Sequence, residues 1–324
     1  MGNHSPWGSS LSIRKIKLMK SKHVAVLMGG WSSEREVSLS SGEGVVKALN
    51  NLGYSVKAID VKRNLPQLLK ELLDAKPDVI FNALHGVGGE DGVIQGVLEM
   101  IGIPYTHCGV TASALAMNKI LSRKIFQHIG IQTPPWKVIS FDELKKGHPM
   151  DIPYVIKPIG EGSSRGVTLV FKDEDLQTSL NEWCYGDQVL IEQFIPGREI
   201  HVAVIDDQAI GAIEICPLEG FYDYTAKYTP GKAKHIMPAG ISPDAYQESL
   251  DLALKAHKAL GCHGVTRSDF RYDDTGDKPT FYLLELNTQP GLTPLSLVPE
   301  IAEYVGISYG ELIERKLRAA KCHH

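Results

Sequence analysis

The segment Thr266–Ser296, TRSDFRYDDTGDKPTFYLLELNTQPGLTPLS, decides how the rest of this chain is interpreted. Its two halves are rich in β-branched and aromatic residues, and the turn formers DDTGDKP stand between them. This pattern predicts an antiparallel β-hairpin. Because side chains alternate between the two faces of a strand, Arg267 and Asp269 share one face, as do Glu285 and Asn287. Folding about the turn then brings Asp269 roughly opposite Glu285.

The two facing carboxylates predict a cation between them. Like charges directly opposite one another repel, and here their neighbours in sequence are apolar. Asp269, Glu285 and the amide oxygen of Asn287 are the hard oxygen ligands that Mg²⁺ prefers. An ordinary hairpin with a solvated polar face also fits this spacing. The loop that follows, NTQPGLTPLS, favours the metal site, since a hydroxyl-rich loop broken by Gly and Pro can wrap a bound anion.

Composition places the chain among globular proteins of two or three domains, with 324 residues of which 43% are hydrophobic and 22% charged. A net charge of -4 shows no basic excess for nucleic acid. No apolar run reaches transmembrane length, so we expect no membrane partner. The cysteines are scattered, odd in number and without a CxxC pair, which predicts reduced thiols in the cytoplasm rather than disulfides or zinc. They are Cys108, Cys184, Cys216, Cys262 and Cys322.

The two ends of the chain are left out of the fold prediction. Residues 1–22 lack the hydrophobic core and cleavage pattern of a secretory signal, and we expect a disordered leader there. The terminal His323 and His324 are likewise treated as extraneous to the fold.

Strands alternating with helices from His23 onward predict a parallel α/β sheet. The Gly29–Gly30 turn lacks the three spaced glycines of a dinucleotide-binding loop. Glu34, at a helix start, and His85, at a strand end, lie at the carboxyl edge of the predicted sheet, where α/β proteins bind ligands. A plain capping role for Glu34 is the alternative, because the helix dipole favours a carboxylate there.

The middle of the chain predicts a nucleotide site. A strand ends near Lys157 and runs into the glycine-rich GEGSSRG of residues 160–166, which a second strand follows, so we expect a hairpin flap whose backbone N–H groups face phosphates. A mobile hairpin tip with no ligand is the alternative. Glu192 and Glu199 flank the end of a further strand, where a carboxylate could hold a ribose. The long polar and aromatic segment 221–240 predicts an active-site lid.

Six segments, in order and correctly spaced, resemble the D-alanine:D-alanine ligases of the ATP-grasp superfamily. The segments are GGWSSEREVSLSSG, ALHGVGGEDGVIQG, YVIKPIGEGSSRGV, VLIEQFIPGRE, FYDYTAKY and ELNTQPGLTPLSLVP. The resemblance implies an α/β (α+β) fold with an N-terminal parallel-sheet domain at 23–118. It also implies a two-part ATP-grasp fold, with subdomains at 119–202 and 203–320.

The same resemblance implies a two-step reaction in peptidoglycan precursor synthesis. ATP phosphorylates the carboxylate of one D-alanine, and the amine of a second attacks the acyl phosphate to give the dipeptide, ADP and phosphate. Two Mg²⁺ ions are implied, with Mn²⁺ as a possible substitute, while activation by K⁺ stays open. A cytoplasmic homodimer is also implied.

The resemblance assigns roles by position. Catalytic roles fall on Glu34, Ser163, Tyr228, Arg267 and Ser296. Substrate contacts fall on Glu34, His85, Arg267, Gly291, Ser296 and Leu297. ATP contacts fall on Lys119, Lys157, Ser163, Ser164, Glu192, Gln193, Phe194, Ile195, Glu199 and Lys227. Magnesium contacts fall on Asp269, Glu285 and Asn287.

Three residues depart from the family pattern. Gln193 stands where relatives often carry Lys, Thr225 where they carry Glu, and Arg165 where an aliphatic residue is common. Arg165 could contact phosphate or point to solvent.

Three other functions compete with this one. An ester-forming D-alanine:D-lactate ligase is disfavoured by Tyr228. A ligase with other substrates remains open. An inactive nucleotide-binding regulator is disfavoured by the complete metal triad and both lysines.

Overall fold

The computed structural model describes residues 22–218, 229 and 231–323. Its strands are β1 His23–Gly29, β2 Ser55–Val61, β3 Val79–Asn82, β4 Trp136–Ser140, β5 Tyr154–Lys157, β6 Thr168–Val170, β7 Gln188–Gln193, β8 Arg198–Ile205, β9 Gln208–Pro217, β10 Ala233–Ile236, β11 Val265–Asp273 and β12 Thr280–Asn287. Its helices are α1 Arg35–Asn51, α2 Leu65–Ala75, α3 Val93–Ile101, α4 Val110–Met117, α5 Lys119–His128, α6 Phe141–Leu144, α7 Asp173–Glu182, α8 Pro243–Ala259, α9 Leu297–Tyr304 and α10 Tyr309–Arg318.

The first sheet is parallel, as predicted, with strand order β2-β1-β3. Its central strand β1 is buried on both faces at Val24–Leu27, which is why this strand is a continuous apolar run rather than an alternating one. The carboxyl ends of β1 and β3 lie side by side, since Leu27 pairs with Asn82. The loops that carry Glu34 and His85 therefore leave the sheet at the same edge.

The second sheet is antiparallel, with order β4-β7-β5-β6. β5 and β6 pair as a hairpin in which Ile156 lies opposite Thr168, so the glycine-rich segment forms the hairpin tip as predicted. We call residues 158–167 the flap. β7 lies between β4 and β5 and delivers Glu192 from the middle of the sheet.

The third sheet is antiparallel, with order β10-β9-β8-β11-β12, and contains the predicted hairpin. Asp269 is paired with Glu285 and Arg267 with Asn287, which confirms the facing register. The pairing shifts between Asp269 and Phe270, so a bulge directly follows the acidic pair. A β-bulge bends the strand and re-aims nearby side chains.

One hydrophobic core joins the first and third sheets through the C-terminal helices α9 and α10. It contains Val26 of β1, Ile213 of β9, Ile301 of α9 and Ile313 of α10. The Tyr54 hydroxyl donates a hydrogen bond of 3.1 Å to Glu314 on α10. The end of the chain thus holds the first sheet against the third.

Leaving His323 out of the fold was wrong. Its backbone N–H donates to Glu99 Oε1 at 2.7 Å, and its ring lies 5.4 Å from that of Tyr105. The apolar surroundings of Tyr105 and Gly109 bury part of this ring, so the terminus is part of the packed structure. The leader 1–21 and His324 lie outside the described residues, and the domain boundaries at 118 and 202 stay predictions.

Candidate active site

Two pockets meet at the hairpin formed by β11 and β12. Lys119, Glu161 and Glu285 line both of them. The first, which we call the amino-acid pocket, is also lined by Glu34, His85, Glu90, Ser163, Arg267, Asn287, Gly291, Ser296 and Leu297. The second, which we call the nucleotide pocket, is also lined by Lys157, Ser164, Arg165, Glu192, Gln193, Phe194, Ile195, Glu199, Asp269 and Arg271. The structure thus brings nearly all of the predicted site residues around one connected space.

Side-chain cations balance the facing carboxylates of the hairpin. Arg267 donates to both oxygens of Asp269, from Nε at 2.6 Å and from Nη2 at 2.7 Å. Lys119 Nζ lies 3.6 Å from Glu285 Oε2. Burial alone would raise the pKa of Asp269, but Arg267 and His201 hold it well below its usual range. Asp269 is therefore ionised at neutral pH, as metal binding requires.

His201 lies between Asp269, a predicted magnesium ligand, and Glu199, a predicted ATP contact. It lies opposite Asp269 in the pairing of β8 with β11. Its Nδ1 is 2.7 Å from Asp269 Oδ1, and its Nε2 is 3.0 Å from Glu199 Oε1. The two carboxylates raise the pKa of this imidazole against the opposing effect of burial. No local sequence pattern predicts this role of His201, because the role depends on strand pairing across the sheet.

The donor set of the hairpin suits Mg²⁺. Asp269 and Glu285 offer carboxylate oxygens, and Asn287 offers an amide oxygen that accepts a 2.8 Å hydrogen bond from the N–H of Gln289. The described residues contain no group of three His, Cys, Asp or Glu placed for a metal ion, and the third donor here is an amide. All three donors are hard oxygens, so their chemistry fits magnesium rather than zinc.

A buried ion-pair network forms the floor of the nucleotide pocket. Glu192, which is 2% exposed, pairs with Lys157 through one oxygen and with Arg123 through the other. Burial would raise the pKa of Glu192, but these two cations lower it. Sequence reasoning missed Arg123. Its spacing of four residues from Lys119 on α5 was the available signal, since such residues share a helix face.

The rim of the nucleotide pocket joins an aromatic ring to a charged pair. The Arg271 guanidinium lies over the Phe194 ring, 5.8 Å from its centroid. The same guanidinium lies 3.8 Å from Glu199 Oε2. A flat ring beside a carboxylate offers a stacking surface for a base and an acceptor for sugar hydroxyls. Gln193, Ile195 and Ser164 complete this rim as predicted.

The flap contacts the N-terminal sheet's loops directly. Ser163 Oγ donates a hydrogen bond of 2.5 Å to Glu34 Oε2, and Arg165 Nη2 donates one of 2.9 Å to the carbonyl oxygen of Ser33. Lys119 Nζ donates to the carbonyl of Glu161 at 2.5 Å. Ser163 has φ of 50°, in the left-handed region that costs energy for a non-glycine residue. These contacts hold the flap across the boundary between the two pockets.

The acidic and imidazole side chains at the edge of the first sheet point into the amino-acid pocket. Glu34 precedes α1 but its side chain makes no capping hydrogen bond, so hydrogen-bonded capping does not explain its position. Burial, together with the charges of Lys316 and Arg267, lowers the pKa of His85 to about 4. His85 is therefore neutral at physiological pH. Its Nε2 lies 3.1 Å from Ser41 Oγ.

The loop between β12 and α9 closes the far side of the amino-acid pocket. Ser296 Oγ accepts a hydrogen bond of 2.9 Å from the N–H of Thr293. A Cβ placed on Gly291 would lie only 2.7 Å from Ser296 Oγ, so this position needs glycine. Leu297 anchors the loop in the core shared by the first and third sheets. Lys227, Tyr228 and Thr225 of the predicted lid lie outside the described residues.

Comparison with known proteins decides the family. A model described as the D-ala D-ala ligase C-terminus matches residues 125–318, and one described as the D-ala D-ala ligase N-terminus matches residues 64–108. A D-alanine–D-alanine ligase B of Mesorhizobium japonicum is 53% identical over 309 residues, covering 94% of this chain and 99% of the relative. The chain belongs to the D-alanine–D-alanine ligase family. A ligase of Rhizobium meliloti is 50% identical with the same coverage.

Solved structures of family members agree with the fold. A D-alanine–D-alanine ligase of Bacillus anthracis superposes with a TM-score of 0.78 at 33% identity, covering 92% of this chain and 97% of that one. The structure of a VanG D-Ala:D-Ser ligase from Enterococcus faecalis superposes with a TM-score of 0.75 at 30% identity, covering 92% and 99%. The predicted combination of a parallel N-terminal sheet with a two-part ATP-grasp fold is confirmed.

Proposed function

We infer that this protein joins two D-alanine molecules at the expense of ATP, releasing ADP and phosphate, to supply peptidoglycan precursor synthesis. The observation that carries the inference is the pair of pockets that meet at the hairpin, in a chain of this ligase family. One pocket offers stacking and charged groups suited to a nucleotide, and the other a small polar space with both anionic and cationic walls. Lys119, Glu161 and Glu285 line both pockets, so they lie where a phosphoryl group would pass from one to the other.

The first step is transfer of the γ-phosphoryl group to the carboxylate of the first D-alanine. Two anions must approach each other, and the positive charge of Lys119, Lys157 and Arg267 offsets their repulsion. Arg267 lines the amino-acid pocket, where it would steady the oxyanion that develops on the reacting carboxylate. Preorganised charges of this kind act chiefly on the transition state, and removing one donor typically costs about 3–4 kcal/mol.

Asp269, Glu285 and Asn287 are proposed to hold magnesium at the phosphates. The bound metal would neutralise phosphate charge and polarise the transferring group. Support comes from the facing carboxylates on β11 and β12 and from the pKa of Asp269, which Arg267 and His201 hold well below its usual range. We propose Mg²⁺ as the physiological ion, with Mn²⁺ as a substitute, and leave K⁺ activation to measurement.

The second step is attack by the amine of the second D-alanine on the acyl phosphate carbon. The amine must lose a proton, the new C–N bond forms, and the C–O bond to the phosphate breaks. Ser296 and the backbone around Gly291 are placed to hold the second carboxylate. The 2.5 Å contact of Ser163 with Glu34 ties the flap to the amino-acid pocket during this step. Tyr228, assigned from the sequence, would complete that network from the lid.

Homodimerisation and a cytoplasmic location are part of the same proposal. Both are proposed from the sequence resemblance to the D-alanine–D-alanine ligases. No helix within the described residues is long and apolar enough to span a bilayer.

The test is phosphate release from ATP by the purified chain, with D-alanine alone and with D-serine or D-lactate added. We expect release that depends on D-alanine, together with D-alanyl-D-alanine as the main product. A main product containing serine or lactate would assign a different second substrate. Phosphate release that does not depend on D-alanine would overturn the proposed function.

A further inference from the structure

Glu90 is an acidic residue of the amino-acid pocket that the sequence analysis did not assign. It lies in the loop between β3 and α3 and is 8% exposed. Its Oε1 accepts a hydrogen bond of 3.0 Å from the N–H of Gly86, and its own N–H donates one of 3.1 Å to the Gly86 carbonyl. These two bonds fix both the backbone and the side chain of Glu90 at the pocket wall.

Glu90 and Glu34 approach the same point from different elements. A Cβ built on Gly162 of the flap would lie 2.6 Å from Glu34 Oε1 and 3.6 Å from Glu90 Oε1. The pocket therefore presents two carboxyl groups side by side, one from the start of α1 and one from the loop after β3. Burial, together with the Glu34 charge, raises the pKa of Glu90 to about 8.

The pairing of Glu90 differs from that of the other buried acids of the site. Asp269 is matched by Arg267, and Glu192 by Arg123 and Lys157. Among the residues that the structure describes, Glu90 forms a hydrogen bond to an N–H group but no ion pair. An unmatched buried acid is costly unless a cation arrives to meet it.

We propose that Glu90 is a second acidic group for the α-ammonium of the amino acid whose carboxylate is phosphorylated. The ammonium carries three N–H donors and a full positive charge, so it can bond to Glu34 and Glu90 at once. Arg267 and Lys119, which line the same pocket, are left for the carboxylate end of that molecule. This arrangement selects an amino acid over a hydroxy acid at the first position. It rests on the proposed function.

The variant Glu90→Gln tests this role with little disturbance of the loop. The amide oxygen of glutamine can still accept the hydrogen bond from Gly86, so what is removed is the ability of the side chain to become a carboxylate when the ammonium binds. Glu99→Gln is the matched control. Glu99 lies on α3, does not line the amino-acid pocket, and accepts hydrogen bonds from the Tyr105 hydroxyl and the His323 N–H through Oε1, an acceptor that glutamine keeps.

The measurement follows the first step alone. Hydroxylamine replaces the second D-alanine as the nucleophile and traps the acyl phosphate as a hydroxamate. For Glu90→Gln we expect the KM for D-alanine to rise about 10–100-fold, the loss expected for a hydrogen bond to a charged group. The kcat of trapping and the KM for ATP should stay within about twofold. Glu99→Gln should behave as wild type in all three constants.

A second measurement removes the ammonium instead of the acid. Calorimetric binding with a non-hydrolysable ATP analogue compares D-alanine with D-lactate, which lacks the ammonium. Glu90→Gln should weaken the binding of D-alanine by the same factor and leave the affinity for D-lactate unchanged. Equal loss for both compounds, or wild-type affinity for D-alanine, would overturn the role of Glu90. A wild-type protein that forms no hydroxamate with D-alanine would instead count against the proposed function.

Discussion

Arg165 at the tip of the flap donates a hydrogen bond of 2.9 Å to the backbone carbonyl of Ser33, the residue before Glu34. The side chain therefore has a protein partner rather than simply pointing to solvent, and a phosphate contact of Arg165 stays a prediction. Arg165 lies two residues from Ser163, whose hydroxyl bonds to Glu34 itself. The flap is thus attached at two points to the loop that opens α1.

We predict that Arg165→Val loosens this attachment. Loss of one such hydrogen bond is worth about 0.5–1.5 kcal/mol, so kcat/KM for D-alanine should fall roughly threefold to tenfold. Arg165→Lys keeps a cation that can reach the same carbonyl and should recover part of the loss. Steady-state kinetics at saturating ATP measures both. An unchanged kcat/KM in Arg165→Val would show that the Ser33 contact does not contribute to closure.

The facing acids of the hairpin predict the effect of Glu285→Gln. This substitution keeps the size of the side chain and removes one of two anionic oxygen donors for magnesium. Turnover should fall by more than about a hundredfold, while circular dichroism shows an unchanged fold. The remaining activity should need more magnesium than wild type does. A variant with wild-type turnover and the same magnesium dependence would exclude Glu285 from the metal site.

The buried network under the nucleotide pocket predicts the effect of Arg123→Met. Removing this guanidinium leaves Glu192 with Lys157 as its remaining ion-pair partner in a buried site. Because Glu192 keeps Lys157, the loss should be smaller than the roughly 3–5 kcal/mol typical when a buried charge is left with no partner. Urea unfolding with and without an ATP analogue measures the loss. Glu192→Gln, which leaves Arg123 and Lys157 without the carboxylate they share, should destabilise the protein more than Arg123→Met, and the opposite order would contradict the ion-pair explanation.

Lys316 on α10 predicts a substitution that stabilises the protein. Burial lowers the pKa of its ammonium group to about 7, and within the described part of the chain Nζ has no hydrogen-bond partner. Lys316→Met should raise the free energy of unfolding by about 1–3 kcal/mol at pH 7. Between pH 7 and the ordinary lysine value near 10.5, the unfolded wild type binds more protons than the folded one. Wild-type stability therefore rises through that window.

The advantage of Lys316→Met should consequently be largest near or below pH 7 and shrink as the pH approaches 10.5. Urea unfolding of both proteins at pH 6, 8 and 10 gives this difference directly, because effects of the other titrating groups cancel between them. A difference that is constant with pH would show that the pKa of Lys316 is the same in the folded and unfolded protein, so that the ammonium stays charged in the folded state over this range.

The hairpin could be predicted from the sequence because both signals that define it are local. Side chains alternate between the two faces of a strand, which places Asp269 and Glu285 on the same face of the hairpin. The turn residues set the register, and the strand pairing confirms it. The partners of these acids could not be predicted in the same way. His201 reaches Asp269 through pairing between β8 and β11, and no local pattern specifies which strands become neighbours.

Other residues were missed for different reasons. Glu90 was passed over because its segment, HGVGGEDG, was treated as a glycine loop, and its burial beside Glu34 depends on how the flap closes. Arg123 could have been found from its spacing with Lys119, although its pairing with Glu192 crosses from α5 to β7. His323 shows the converse error, since a terminal histidine carries no sequence signal for packing.

The core shared by the first sheet and α10 has a consequence for the order of events during synthesis. Val26 and Phe81 leave the ribosome early, but the residues that cover them on α10, including Ile313 and Lys316, are made more than two hundred residues later. At about 5–20 residues per second, the nascent first sheet waits on the order of tens of seconds for this cover. Its apolar face is open throughout that interval, which makes the unfinished chain a natural client for chaperones that bind nascent polypeptides.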